Sequence, residues 1–351
     1  MNFEHSRFLI VRLSSIGDVL HATTVAHNLK LHYPSCHITW LASPPASELL
    51  QYNPDIDRLL VWDRSRFDKA VAGRRLREAF GMLRTLRKEL HGYTFDIALD
   101  IQCLFLTGLI TRLSGAPRRI GIYERHEFNH LFMTERGPAI DDPHKIRRYM
   151  TSLAPLGIHT LEPALILALP PKLEHFAEEF LPSHGISLAK PILMVNIRTT
   201  WPDKNWPVES FRTALCKLPE EIQLVFCGAP KDQRYIDEVL QGLSRSAVSI
   251  AGKTSLLELA ALFRETDLLL TGDTGPLYIA AAMGTPTLSL WGPTHPTIYG
   301  PLTGPHSFIL SPHDCTSCCK TRCRDKTNAC MQAISPKIVF QHLCSCFHLP
   351  A

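Results

Sequence analysis

Two junctions in this sequence combine glycine, small hydroxyl residues and an aspartate where an apolar run ends. In the first, residues 8–13 lead into Ser-Ser-Ile-Gly-Asp at residues 14–18. In the second, residues 267–272 lead into Asp-Thr-Gly-Pro at residues 273–276. A strand that turns into a helix in this way leaves free backbone N–H groups, which favour phosphate and developing negative charge. One junction in each half predicts two α/β domains that act on a phosphate-bearing substrate.

Asp18, in the first junction, has two interpretations. The spacing from Ser15 to Asp18 fits a capping box at the start of a helix. Alternatively, Asp18 stands at the carboxyl end of a strand, where α/β sheets bind ligands, and could take a proton from an attacking hydroxyl. The pattern by itself leaves both interpretations open.

The second junction offers the N–H groups of Thr274 and Gly275 and the Thr274 hydroxyl to a pyrophosphate. An ordinary βα turn with Asp273 near the N-cap accounts for the same residues. Upstream, the loop at residues 196–207 is rich in hydrogen-bond donors and holds two tryptophans. Arg198 or Lys204 in this loop could hold phosphate oxygens and neutralise a departing diphosphate.

Alternating strand-like and helix-like patterns must position these residues. In the first half, strands are predicted at residues 8–13, 37–42, 58–62 and 97–101, with a helix over 19–33. In the second half, strands are predicted at residues 192–197, 223–227, 268–270 and 287–291, with helices over 208–216, 232–243, 256–263 and 277–283. Short apolar strands separated by helices predict parallel sheets covered on both faces.

The 351 residues exceed what one hydrophobic core usually accommodates, and two consecutive prolines at 170–171 mark a linker. We therefore predict two Rossmann-like domains, over residues 1–170 and 171–334. The second includes a cysteine-rich tail segment, and a closing helix follows over residues 335–351.

Composition and charge limit the class of protein. Hydrophobic content of 45% and charged content of 20% are ordinary for a globular chain. No apolar run could span a bilayer and the start lacks a signal-peptide core, so we expect a cytoplasmic protein. Nine lysines and arginines fall within residues 64–88. They could meet an anionic substrate or a membrane surface, or form the solvated face of an amphipathic helix. Without interleaved aromatic residues, nucleic acid is not an expected partner.

Five of the eleven cysteines fall within residues 315–330. In a reducing compartment such crowding indicates metal more readily than disulfides. The spacing would allow a structural zinc site, with thiols packed in a loop-rich tail as the alternative; its ligands would be Cys315, Cys318, Cys323 and Cys330. Four scattered cysteines are predicted to be buried packing thiols: Cys36, Cys103, Cys216 and Cys227.

Residues 11–21 closely resemble the start of the bacterial lipopolysaccharide heptosyltransferases, glycosyltransferase family 9. Residues 272–276, 280–286 and 291–296 resemble the donor-side signature of that family, in the same order along the chain. The resemblance implies a GT-B fold, in which two Rossmann-like domains face each other across a cleft. It also implies inverting transfer of heptose from ADP-heptose to a sugar hydroxyl of the lipopolysaccharide inner core.

The implied partners are ADP-heptose, a lipopolysaccharide core or lipid A–Kdo acceptor, and the cytoplasmic face of the inner membrane through peripheral contact. The resemblance implies that Asp18 is the catalytic base and that Lys204 lies near the donor phosphates. Because a lysine and a helix start can hold the departing diphosphate, no catalytic cofactor is expected. The implied donor-binding residues are Thr199, Thr200, Lys204, Asp232, Lys253, Thr254, Asp273, Thr274 and Gly275. The residues placed on the acceptor side are Ser14, Ser15, Gly17, Arg64 and Arg66.

Two departures from the family pattern bear on the substrates. Tyr278 stands where many members have histidine, and Cys103 interrupts an Asp-x-Gln-Gly pattern, so a donor contact and the acceptor could both differ. The alternatives are another GT-B enzyme, with a different sugar donor or epimerase activity, and a non-enzymatic nucleotide- or metal-sensing protein. A dehydrogenase is not expected, because no Gly-x-Gly-x-x-Gly follows the first strand.

Overall fold

The computed structural model describes residues 3–124, 127–324 and 326–349. The chain divides into two compact units, Met1–Ala168 and Leu169–Ala351. The division lies close to the predicted linker at the two consecutive prolines. The helix near the carboxyl terminus belongs to the second unit.

The first unit is built on a six-stranded parallel sheet with the strand order β3-β2-β1-β4-β5-β6. Its strands are β1 (Arg7–Val11), β2 (His37–Ala42), β3 (Arg58–Val61), β4 (Ile97–Asp100), β5 (Arg118–Gly121) and β6 (Glu135–Arg136). Its helices are α1 (Ile16–His32), α2 (Arg64–Ala72), α3 (Leu76–His91), α4 (Phe105–Leu113) and α5 (Lys145–Met150).

Both faces of this sheet are covered, because the residues of β1 alternate between two cores. Phe8 and Ile10 pack in one core together with residues of α1. Leu9 and Val11 pack in another core together with residues of α3 and α4. This alternation follows from the two-residue period of a strand, and it explains why β1 is apolar at consecutive positions.

The second unit has a six-stranded parallel sheet with the strand order β12-β11-β10-β7-β8-β9. Its strands are β7 (Ile192–Asn196), β8 (Gln223–Cys227), β9 (Ala247–Ser249), β10 (Leu268–Gly272), β11 (Thr287–Trp291) and β12 (His306–Leu310). Its helices are α6 (Phe176–Ser183), α7 (Val208–Leu215), α8 (Gln233–Leu240), α9 (Leu256–Arg264), α10 (Gly275–Ala282), α11 (Pro296–Tyr299), α12 (Ala329–Gln332) and α13 (Pro336–Cys346).

Short 3-10 segments complete the two units: Ala46–Leu50, Asn129–Phe132, Thr151–Leu156, Pro171–Leu173, Pro202–Lys204 and Pro230–Asp232. The helix α13 begins at Pro336 with Ser335 at the N-cap position, and Val339 joins the core that contains Phe211 of α7. Within the described ranges, no helix is long and apolar enough to cross a membrane.

Candidate active site

In both units the predicted site residues lie where parallel strands end at the carboxyl edge of the sheet. In the first unit Asp18 follows β1, at the third position of α1, and Arg64 follows β3 at the start of α2. The N-cap of α1 is Ser15, in extended conformation. This edge is where open α/β sheets bind ligands, since helix N-termini and loops converge there.

Three side chains bind the carboxylate of Asp18. The Nη2 atom of Arg12 lies 2.8 Å from Oδ2, and the hydroxyl of Tyr149 donates to Oδ1 over 2.7 Å. The hydroxyl of Ser15 donates to Oδ2 over 3.0 Å. The Asp18 side chain is 30% exposed, whereas that of Arg12 is 7% exposed. The carboxylate is therefore held from the protein side and remains accessible from the other.

These contacts decide the charge of Asp18. Burial alone would raise its pKa, but the guanidinium of Arg12 and the hydrogen bond from Tyr149 outweigh burial and hold the pKa well below its usual range. Burial also raises the pKa of Tyr149 well above its usual range. Asp18 is thus a carboxylate and Tyr149 a hydroxyl donor at any physiological pH.

The capping-box interpretation of Asp18 is wrong. The Ser15 side chain makes no cap hydrogen bond to the backbone of α1. Its hydroxyl donates to the Asp18 carboxylate instead. Because a carboxylate is a strong acceptor, the Ser15 hydroxyl turns toward Asp18 and not toward the backbone N–H groups of the first turn.

The loop after β4 forms hydrogen bonds with the residues that precede the first junction. The side chain of Gln102 accepts from the backbone N–H of Leu13 over 2.7 Å, and Nη1 of Arg12 donates to the carbonyl of Ile101 over 3.2 Å. Asp100 is fully buried and accepts from the backbone N–H groups of Gln102 and Cys103. The segment that departs from the family pattern therefore fixes the loop that carries Arg12.

The predicted acceptor-side residues are only partly brought together. The Nη1 atom of Arg64 lies 3.4 Å from the hydroxyl of Ser14, and Gly17 is buried in the first turn of α1. Arg66 instead pairs with Glu78 of α3 at 3.2 Å. Arg64 thus contacts Ser14, whereas Arg66 forms an ion pair with a residue of α3.

In the second unit, the predicted donor-binding residues follow four adjacent strands of one sheet edge. In sheet order these strands are β10, β7, β8 and β9. Residues 273–275 follow β10, residues 199–204 follow β7, residue 232 follows β8 and residues 253–254 follow β9. Because all four strands are parallel, their loops lie side by side.

Asp273 is the centre of a hydrogen-bonded group. The Nζ atom of Lys204 donates to its Oδ2 over 2.6 Å, and the hydroxyl of Thr294 donates to the same oxygen over 2.7 Å. The hydroxyl of Tyr278 donates to Oδ1 over 2.5 Å. Lys204 also lies 4.1 Å from the ring centre of Trp201. Tyr278, which departs from the family pattern, is thus directed at Asp273.

The start of α10 lies beside this group. Thr274 is the N-cap residue in extended conformation, and Gly275 and Pro276 begin the helix. The first N–H groups of a helix have no intrahelical acceptor. The N–H of Thr274 donates to no acceptor among the described residues. An anion could therefore bind here, next to the ammonium of Lys204.

Thr199 and Thr200 have different surroundings. The Thr199 hydroxyl donates to the carbonyl of Trp201 over 2.7 Å, and its N–H donates to Asn205 over 2.8 Å. A Cβ atom at Gly272 would lie only 2.9 Å from the Thr199 methyl group, so the end of β10 packs closely on this loop. Thr200 is exposed. Thr199 therefore shapes the loop, and Thr200 is accessible.

Asp232 and the segment after β9 form the next part of the edge. The Asp232 carboxylate accepts from the N–H of Ala229 over 2.9 Å, and the N–H of Gly252 donates to the carbonyl of Gly228 over 2.9 Å. Gly252 has φ of +71°, and a Cβ atom there would lie 2.8 Å from Pro230. Lys253 and Thr254 are thereby held beside the Asp232 loop.

A profile of glycosyltransferase family 9 (heptosyltransferase) matches residues 83–329, which is more than half of the chain. This chain belongs to that family. The lipopolysaccharide core heptosyltransferase OpsX of Haemophilus influenzae is 28% identical over 292 residues, which cover 82% of this chain and 79% of the relative.

Two solved structures resemble this heptosyltransferase-family chain over nearly its whole length. The glycosyl transferase family 9 protein of Veillonella parvula has a TM-score of 0.85 and 24% identity, covering 99% of this chain and 98% of its own. The E. coli heptosyltransferase WaaC, solved with ADP, has a TM-score of 0.75 and 20% identity, covering 97% and 99%. The predictions of an α/β GT-B fold and of a family 9 glycosyltransferase are confirmed, and the alternative functions are not favoured.

Two predictions concern the cysteines of this family 9 chain: a zinc site in the tail segment and buried packing thiols elsewhere. Burial and the nearby thiols of Cys318, Cys323 and Cys315 raise the pKa of Cys330. Across the described ranges, however, no three His, Cys, Asp or Glu side chains are assembled to hold a metal ion. The prediction of buried packing thiols fits Cys36, Cys103 and Cys227 and is wrong for Cys216, which is partly exposed. Cys216 is the C-cap residue of α7, a helix with one face toward solvent.

Sequence reasoning missed Arg12 and Tyr149 as site residues. Arg12 lies within the segment that resembles the family and directly after a strand, so its position in the sequence could have identified it as a site residue. Tyr149 lies 131 residues from Asp18 and is surrounded in sequence by ordinary helix-forming residues. Only the packing of α5 against α1 brings it to the carboxylate.

Proposed function

We propose that this chain transfers heptose from ADP-heptose to a sugar hydroxyl of the lipopolysaccharide inner core, with inversion at the anomeric carbon. The observation that carries the proposal is the group formed by Lys204 and Asp273 at the start of α10 in a family 9 chain. It supports a diphosphate leaving group. The similarity to a lipopolysaccharide core heptosyltransferase and to a heptosyltransferase that binds ADP supports the choice of substrates.

The second unit would hold the donor. The diphosphate of ADP-heptose would lie against the N–H groups of Thr274 and Gly275, with the ammonium of Lys204 on its oxygens. Asp273 holds that ammonium in place and offsets its charge when the donor is absent. In the transition state the leaving diphosphate gains negative charge, so the same donors stabilise the transition state more than the bound donor.

The nucleoside would extend along the sheet edge, away from α10. Asp232 would accept from ribose hydroxyls, and Lys253 and Thr254 would lie near the base. Thr199 and Thr200 would flank the phosphates. The support for these roles is that the loops after β7, β8 and β9 are neighbours in the order expected for an extended nucleotide.

The first unit would supply the base. Asp18 would accept the proton of the acceptor hydroxyl as the new C–O bond forms. Because the pKa of Asp18 is well below its usual range, the carboxylate is a weak base toward a free alcohol. It can accept the proton only late, when bond formation has made the hydroxyl acidic. Arg12 and Tyr149 would be positioning residues that orient the carboxylate.

The acceptor would bind beside this base. Arg64 and Ser14 are in contact, and a guanidinium next to a hydroxyl suits an anionic sugar of the core or of lipid A–Kdo. Ser15 and Gly17 would shape the same turn. Since that acceptor is anchored in lipid, we place the enzyme at the cytoplasmic face of the inner membrane, in peripheral contact with it.

No cofactor is needed for this chemistry, because Lys204 and the helix start supply the charge stabilisation that a metal could otherwise provide. A structural zinc on Cys315, Cys318, Cys323 and Cys330 stays a prediction, supported by their spacing in the sequence. Metal analysis of protein purified without chelators tests it. One equivalent of zinc that is lost together with thermal stability on chelation is the expected result.

The proposed function is tested by measuring ADP release from ADP-heptose with a panel of inner-core acceptors. Asp18→Asn should lower turnover by about a hundredfold or more and leave ADP affinity unchanged. The matched control is Asp96→Asn, which alters a half-exposed acid paired with Arg7 at the opposite edge of the same sheet. If no acceptor in the panel stimulates ADP release, the proposed function is wrong; if Asp18→Asn keeps near-parental turnover, Asp18 is not the base.

A further inference from the structure

The positive charge of this chain is concentrated in one helical hairpin. Residues 63–91 carry nine Lys and Arg side chains and four Asp and Glu side chains, whereas the whole chain has a net charge of +4. The rest of the molecule therefore has a slight excess of acid. The hairpin consists of α2 and α3, which contact each other in the first unit. A surface with this imbalance attracts anions.

The cations of α3 lie on one stripe of that helix. Arg77, Arg84, Arg87 and Lys88 are separated by three, four or seven residues, the spacing that places side chains on the same side of a helix. All four are exposed, and no described acid pairs with Arg77, Arg84 or Arg87. The hairpin thus presents unpaired positive charge to solvent.

The acids of α3 lie on another stripe. Glu78 and Glu89 are eleven residues apart, which is close to three full turns, so they are stacked above each other. Glu78 is already neutralised by Arg66 at 3.2 Å and Arg75 at 2.8 Å. These acids do not interrupt the cationic stripe.

Large apolar side chains are exposed beside the same cations. Leu76 is 66% exposed, Phe80 is 71% exposed, and Val71 at the end of α2 is 45% exposed. Leu76 and Phe80 are one turn apart and lie on the side of α3 that carries Arg84 and Arg87. The helix packs on the sheet through other residues, chiefly Leu86 and Leu90. Leu76 and Phe80 therefore contribute little to the core.

We propose that α2 and α3 form a docking surface for an anionic phospholipid bilayer. The cations would bind lipid phosphates, and Phe80 and Leu76 would enter the boundary between headgroups and acyl chains, as in interfacial amphipathic helices. Charge complementarity selects an anionic surface, and the exposed aromatic and aliphatic side chains favour a bilayer over a soluble polyanion. The purpose of this surface rests on the proposed function, since a lipid-anchored acceptor requires an enzyme that stays at the membrane.

The docking surface is tested by sedimentation of the full chain with vesicles. Parental protein should bind vesicles of phosphatidylglycerol and phosphatidylcholine in equal parts, and should bind pure phosphatidylcholine weakly. Raising salt should weaken binding, because the charges are exposed and screened. Equal binding to both vesicle types would overturn the proposal. Binding to heparin without binding to vesicles would also overturn it, and would assign the surface to a soluble polyanion.

Two sets of variants assign the binding to residues. Arg77→Gln combined with Arg84→Gln and Arg87→Gln should weaken vesicle affinity by about a hundredfold, since each charge near the surface contributes about fivefold. Leu76→Ser combined with Phe80→Ser should reduce binding even at high salt. The matched controls are exposed residues of the second unit, and they should leave binding unchanged: Lys172→Gln with Lys190→Gln and Lys217→Gln, and separately Phe308→Ser. Parental affinity in both test variants would overturn the proposal.

Activity distinguishes this proposal from the proposed function. The hairpin variants should transfer heptose to a detergent-dispersed acceptor at the parental rate, and to an acceptor embedded in anionic vesicles about tenfold more slowly or worse. Vesicle sedimentation needs no sugar donor, so binding without any transfer would leave the docking surface intact and remove the proposed function. Transfer without vesicle binding would support the proposed function and overturn the docking surface.

Discussion

At the scale of residues, the two side chains with proposed chemical roles are each held in an ion pair within their own unit. Asp18 is paired with Arg12, and Lys204 is paired with Asp273. In each pair the partner fixes the geometry of the functional group, and Arg12 also lowers the pKa of Asp18. Each functional group could be predicted from its place after a strand, but the bonds from Tyr149 to Asp18 and from Lys204 to Asp273 join residues that are distant in sequence.

The contribution of Tyr149 can be measured through the pH dependence of activity. Its hydroxyl donates to the charged form of Asp18, so Tyr149→Phe should raise the pKa of Asp18 toward its usual range. Asp18 would then be protonated, and inactive as a base, at a higher pH than in the parent. In a plot of kcat/KM against pH, the acid limb of the variant should therefore lie at a higher pH than that of the parent.

The matched control for this variant is Tyr33→Phe, which removes a hydroxyl that donates to the carbonyl of Leu156 in the same unit. It should leave the acid limb where the parent has it. If the acid limbs of Tyr149→Phe and of the parent superimpose, this hydrogen bond does not lower the pKa of Asp18.

Removal of Lys204 should affect donor binding and stability separately. Lys204→Ala should weaken ADP-heptose binding or turnover by about tenfold or more, because charge-assisted bonds to phosphate are lost. It also leaves the buried carboxylate of Asp273 without its cation, which should lower the free energy of unfolding by about 3 kcal/mol.

A second variant separates these two effects. Lys204→Ala combined with Asp273→Asn should recover stability in chemical denaturation without recovering donor affinity in calorimetry, whereas Lys217→Ala should change neither quantity. Recovery of donor affinity in the double variant would mean that Lys204 acts only by neutralising Asp273.

At the scale of elements, the strands that were predicted correctly are buried on both faces, except for the edge strand β3, which is partly exposed. β1, β7, β10 and β11 are apolar over consecutive residues, and this pattern is visible in sequence. β5, β6, β9 and β12 were missed. They lie at or near sheet edges and are partly exposed, so charged or polar residues such as Arg118 and Arg119 interrupt the apolar run. Such a strand forms because it pairs with a neighbouring strand, and the local sequence pattern does not show that pairing.

The turn at Gly252 tests how closely the elements of the donor edge must approach each other. Gly252→Ala introduces a Cβ atom 2.8 Å from Pro230 at a φ of +71°. It should lower the free energy of unfolding by about 1–3 kcal/mol and weaken ADP binding, because the loop that carries Asp232 is displaced.

The control for this substitution is Gly185→Ala in the same unit. Gly185 has φ of +76°, but a Cβ atom there would meet nothing within 4 Å. It should show the cost of the backbone conformation alone and leave ADP affinity unchanged. If both alanine variants lose stability equally and bind ADP like the parent, contact between Gly252 and Pro230 is not what positions the loop.

At the scale of the whole molecule, one architecture occurs twice, and we propose that its two copies perform different tasks. Each unit has a parallel sheet with a strand–turn–helix junction at its carboxyl edge. The junction at Thr274 and Gly275 offers N–H groups to an anion. The junction at Asp18 has the same outline, but its helix start is occupied by a carboxylate, which would repel phosphate. The sequence could predict this division, because it depends on single residue types at fixed positions.

The division of tasks predicts how ligands stabilise the full chain. ADP should raise Tm, and at a concentration of 100 times Kd it should add about 2.7 kcal/mol to the free energy of unfolding. UDP should stabilise less at the same concentration. Asp18→Asn should show the full ADP shift, because its side chain belongs to the first unit, whereas Lys204→Ala should lose most of the shift. Differential scanning calorimetry of the three proteins with each nucleotide measures this. If Asp18→Asn loses the ADP shift while Lys204→Ala keeps it, the assignment of donor binding to the second unit is wrong.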